Sequence, residues 1–156
     1  MKMDTLTLVH VAISLIAILS GFVVLWGMIR NRRMDKRTLV FLAFTAATNL
    51  TGFVFFPITV LTPALILGVV SSVVLLICIL ARYVFAMRGV WRPVYVVTAV
   101  IVLWFNVFVL NVQSFKKIAA LHALLPAGSE PFAIGQGIVL IAFIVTGLMA
   151  VMRFRP

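Results

Sequence analysis

Side chains able to do chemistry are scarce in this sequence, and their spacing narrows the choice further. Its 156 residues hold three acids, two histidines and one cysteine. His10 and His122 stand far apart, and neither has a second histidine three or four residues away, so they form no metal motif. Brought to one side of a membrane with Glu130 nearby, they could share a metal or ligate a haem, which keeps a haem- or quinone-associated redox component as a minor expectation. Cys78 lies within an apolar run, so the chain forms no internal disulfide. No nucleophile stands at readable spacing from a base, and an enzyme is not expected. The expected cofactor list is therefore empty.

The neutral amides and hydroxyls are more regular. At 100° per residue, His10, Ser14, Ala17, Gly21 and Met28 share one arc of a helix, as do Thr45, Thr48, Asn49 and Gly52 of the next. Ala64, Gly68, Ser71 and Cys78 align and lead to Arg82. Ala99, Asn106 and Gln113 share a face that Asn111 leaves, and Gln136, Gly147 and Ala150 form the last stripe. Small and polar residues on one face of an otherwise apolar helix belong against neighbouring helices. Asn49 and Asn106 fall near mid-span, while His10, Asn111, Gln113 and Gln136 fall nearer one end. Toward the other end only Ser20, Thr98, Thr146 and Cys78 are expected. Two readings stay open: the amides are glue between helices, or they line a polar cavity open to one side. For the imidazole of His10, Ser14 or an interfacial water is the expected partner.

The elements that must position these residues follow from composition. The chain is 65% hydrophobic and 10% charged, with a mean hydropathy of +1.28. That is too little charge to cover a water-facing surface. A helix needs about 20 apolar residues to cross the hydrocarbon core, and five segments qualify: 6–29, 38–59, 62–84, 94–115 and 131–152. They define an all-α polytopic bundle in a single domain. Pro57 and Pro63 make the second and third spans a tight apolar hairpin. Pro93 and Pro131 sit near helix starts, and Ser129 is placed to cap the last helix with Glu130 in its first turn. Between the last two spans, 114–130 reads either as a short interfacial helix or as an extension of the fourth span. Phe53, Tyr83, Trp91, Tyr95, Phe115 and Phe132 fall at span ends, as an interfacial belt would.

The net charge of +10 is distributed as membrane loops distribute it. Arg30, Arg32, Arg33, Lys36 and Arg37, then Arg82, Arg88 and Arg92, then Arg153 and Arg155 put ten basic residues on one side, against Lys2, Lys116 and Lys117 on the other. The positive-inside rule then sets the amino terminus outside and the carboxyl terminus inside. A nucleic-acid face would need the bases on one polar solvent surface, so no nucleic-acid partner is expected. Mid-span carboxylates are absent, which argues against proton-coupled transport.

The stretches Asn106–Lys116 and Ser129–Gln136 resemble segments of small multi-spanning proteins of bacterial inner membranes. The resemblance covers the last third of the chain and implies an inner-membrane location, with no activity attached. The expectation is a non-enzymatic membrane protein: a scaffold or accessory subunit, or a binding protein with an outward-facing polar cavity. Its partners would be the bilayer and other membrane subunits or itself. The alternative is a channel or carrier for a small neutral or lipophilic solute, possible as a homo-oligomer.

Overall fold

The computed structural model describes residues 5–55 and 62–155, with the backbone alone at residue 55. The described residues form helices and no strand. In order these are α1 (Thr5–Ile29), α2 (Asp35–Phe55), α3 (Pro63–Ile79), a π turn (Leu80–Val84), α4 (Trp91–Lys117), α5 (Ala119–Leu124) and α6 (Glu130–Arg153). α1, α2, α3 together with its π turn, α4 and α6 give five helices long and apolar enough to cross a membrane. The expected spans are therefore present, with α2 and α4 each beginning three residues earlier than patterning placed them. The hairpin expected between Pro57 and Pro63 lies outside the described residues, apart from Thr62 and Pro63.

Side-chain chemistry fixes the ends. Thr62 caps α3 by accepting from the Leu65 amide at 3.2 Å, and Pro63 occupies a position where its missing N–H is no loss. Ser129 caps α6 through the Phe132 amide, with Glu130 and Pro131 following, as expected. α1 stops at Asn31, whose φ of +54° lets Arg32 N–H reach back to the Gly27 carbonyl at 2.8 Å. This closes the helix in a Schellman motif. α4 runs through Lys117, breaks at extended Ile118, and α5 makes a short exposed helix against α4. The fourth long helix thus extends to Lys117, and a separate short helix follows it.

α1, α2, α3 and α4 form a closed ring, each packed on the next and α4 returning to α1. α6 lies outside that ring in the groove between α1 and α4. Along its length only Phe132, Phe143 and Ala150 are buried. The core runs through the ring from Phe41 and Leu103 to Met28, Val96, Tyr95 and Phe154. Small residues set the closest approaches. A Cβ at Gly21 would lie 2.5 Å from Leu103 of α4 and 2.8 Å from the Phe41 ring of α2, so α1 can nest there only as glycine. Gly147 of α6 meets Val100 in the same way, less tightly.

Candidate functional site

The polar stripes meet their partners one helix pair at a time. Asn49 on α2 donates to Ser71 and Ser72 of α3 at 3.2 Å each, and Ser71 donates back to the Asn49 carbonyl oxygen at 3.3 Å. Asn106 on α4 donates to Thr45 of α2 at 3.2 Å. Both members of that pair are buried, at 7% and 0% exposure. The two asparagines, alike in depth, therefore serve different neighbours rather than one another.

His10 also differs from expectation. Ser14 donates to the His10 backbone carbonyl, while the imidazole Nδ1 pairs with Thr51 of α2 at 2.6 Å. The Thr51 hydroxyl also lies 2.8 Å from the Ala47 carbonyl of its own helix, so it links the imidazole to the α2 backbone. The miss has a physical cause: a serine one turn along reaches its own helix backbone more easily than a ring. His122, exposed on α5, faces the Phe115 carbonyl at 3.1 Å. The two histidines thus have separate local partners. Among the described residues, no three of His, Cys, Asp or Glu come together.

Asn111 and Gln113 are half-buried and make no side-chain hydrogen bond among the described residues. Gln136 is half-buried on α6, with its carbonyl oxygen buried and unpartnered. Of the small residues in the stripes, Ala17, Gly21, Ala99 and Ala150 are buried as expected, whereas Ala64 is exposed. A cavity of about 10 Å³, room for one water at most, lies among Gly21, Met28, Phe41 and Leu103, away from every amide of the stripes.

The most elaborate polar constellation lies at the other end, where patterning expected only Ser20, Thr98, Thr146 and Cys78. There the three basic segments converge. Arg82, on the π turn, is 4% exposed and forms an ion pair with Asp35 at the start of α2. Its guanidinium lies 5.0 Å from the centre of the Tyr95 ring, and Nη1 reaches the Met87 sulfur at 3.7 Å. Asp35 also accepts from Arg33 at 2.8 Å. Arg92 donates to the carbonyls of Val151, at 2.9 Å, and Phe154, and Asn31 accepts from the Arg155 amide at 2.7 Å. Tyr95 is 1% exposed and no member of an interfacial belt. Phe132 is likewise buried, its ring edge-on to Phe115.

The local backbone explains how an arginine is buried here. Phe85 N–H bonds to the Leu80 carbonyl, five residues back, which widens and underwinds the end of α3 into the π turn. Ala86 and Met87 then both take positive φ, near +50° and +55°. Left-handed backbone is disfavoured for residues with a Cβ, at about 1–2 kcal/mol each. It folds the chain back so that Met87 covers Arg82. The sequence signal was the tyrosine and arginine pair at the end of an apolar run, and periodicity at 3.6 residues per turn cannot register a π turn.

The class that fold and site define is a membrane-type helix bundle whose polar groups are shared between its helices. Compared with protein-family models, with curated proteins and with solved structures, the chain matches none.

Proposed function

We propose that this chain is a non-enzymatic integral membrane protein that acts as a scaffold or accessory subunit within a larger membrane assembly. One observation carries the reading: the mid-span amides are spent on hydroxyls of other helices, Asn49 on Ser71 and Ser72 of α3, Asn106 across the ring on Thr45 of α2. Groups used this way fix a unique packing, at about 0.6 kcal/mol each, and are not held open for a solute. The bundle also lacks a mid-span carboxylate of the kind that couples transport to protons. The arginine-rich end faces the cytoplasm in this proposal and the amino terminus lies outside, on the charge distribution alone. The bacterial inner membrane is its proposed location, on the resemblance of the last third of the sequence.

Extraction from its native membrane in a mild detergent tests the role. The chain should migrate in a complex larger than its own 17.2 kDa and detergent micelle. A monomer that, reconstituted alone in liposomes, passes small neutral solutes would overturn the proposal in favour of a channel or carrier lined by His10, Asn111, Gln113 and Gln136.

A further inference from the structure

The arginine-rich end carries one charge arrangement that the chain itself does not complete. Arg82 is buried, and an arginine cannot shed its proton to relieve that burial. Of its five donors, those at Nη2 meet one oxygen of Asp35, and Nη1 meets a thioether, a weak acceptor. Nε is buried with no hydrogen-bond partner. The single carboxylate is 62% exposed and is shared with Arg33, so it is screened by water and divided between two cations. A fully buried guanidinium is ordinarily matched by a bidentate carboxylate or phosphate.

A crevice too narrow to admit a water molecule leads from the surface to this group. Arg32, Met34, Thr38, Arg82, Tyr95 and Phe154 line it. Arg32 is exposed on its wall, and its guanidinium makes no bond among the described residues. Counting the groups that face the crevice and its rim gives three arginines, Arg32, Arg33 and Arg82, against Asp35. Around them Arg30, Lys36, Arg37 and Arg88 are exposed and raise the positive potential further. An anion placed at Arg32 therefore enters a field that, among the described residues, one carboxylate opposes.

We propose that the surface at Arg32, over the mouth of this crevice and above Arg82, binds a phosphate-bearing anion, either the headgroup of an anionic phospholipid or free phosphate. Arg32 supplies the direct hydrogen bonds, since its fork matches phosphate oxygens. Arg82 supplies a fixed, desolvated positive charge beneath it. The place suits a lipid source: the crevice sits where the apolar lengths of α1 and α3 give way to basic loops, and a guanidinium there meets headgroups. The inference is independent of whether the protein is a scaffold.

Three arms test it on the purified full chain in maltoside micelles. Thermal unfolding and native mass are followed with phosphatidylglycerol, with phosphatidylcholine, and with inorganic phosphate against chloride at equal ionic strength. Phosphatidylglycerol or inorganic phosphate should raise Tm and, for the lipid, remain as a bound adduct, while phosphatidylcholine does neither. Whichever of the two acts identifies the source. Arg32→Gln, an exposed change that leaves the core intact, should weaken that binding about fivefold, the effect of one basic contact. Arg37→Gln and Arg153→Gln, exposed at the same end but outside the crevice lining, should weaken it far less, through the general potential alone. Equal losses in all three variants would show diffuse attraction to a basic surface and overturn the site. So would the absence of any shift with both anions, or an equal response to phosphatidylcholine.

Discussion

At the scale of single residues, the amides act through hydroxyls that a helical wheel ranks below them. Thr45 looks like one of several threonines on α2, yet it is fully buried and receives Asn106. Replacing Asn106 by Leu should cost about 1 kcal/mol, because the Thr45 hydroxyl loses its donor in a dry interface. Adding Thr45→Val should return much of that loss, since both partners then disappear. Asn49→Leu should cost a similar amount, and its effect should add to that of Asn106→Leu, because the two share no partner. Thermal unfolding in detergent of the singles and doubles reads both couplings. A strong coupling between positions 49 and 106, or none between 45 and 106, would contradict the pairing described. The periodicity of the sequence placed each amide on the correct face of its helix. It could not say which of several hydroxyls each would meet, because that depends on axial offsets between helices set by the loops.

Elements are held by close approach as much as by polar contacts. α1 reaches α2 and α4 at Gly21, where Leu103 and Phe41 are both buried and have no space to yield. Gly21→Ala should therefore destabilise the bundle by about 1–3 kcal/mol, the range for an overfilled core. Gly135→Ala and Gly137→Ala, on α6 with open space around them, should be neutral or slightly stabilising, since alanine favours the helix. Comparing the three Tm values checks this, and an equal loss at all three sites would mean that glycine flexibility, not packing, is what matters. The long helices were legible because an apolar run of membrane length has one stable form when its backbone bonds must be met internally. The π turn was not, and with it Arg82 was missed as a buried group: charge at the end of a span reads as interface until the local winding is known. Tyr95 was misplaced for the same reason, its exposure being decided by the arginine folded over it.

For the whole molecule, orientation across the membrane is the first question. Cys78 is buried, so labelling of the parent chain should be low and single cysteines can report on the loops. With Lys36→Cys on the side proposed as cytoplasmic and Ala123→Cys on the side proposed as outer, both at exposed positions, an impermeant thiol reagent added to intact cells should mark only the second. Labelling of the first alone would invert the topology. The ring and its companion helix then differ in rank. α1 to α4 close on one another without α6, which rests in their groove by Phe132, Phe143 and Ala150 and is tied at its end by Arg92. Arg92→Gln should loosen that tie by about 1–3 kcal/mol, the range for hydrogen bonds to a charged group, and should raise the exchange of α6 amides with deuterated solvent before those of the ring. Synthesis delivers the helices in order, so the groove on α1 and α4 is complete before its occupant exists. A helix that arrives after its seat is finished need not be covalently joined to it: segments 1–125 and 126–156, expressed together as separate chains, should insert side by side and purify as one.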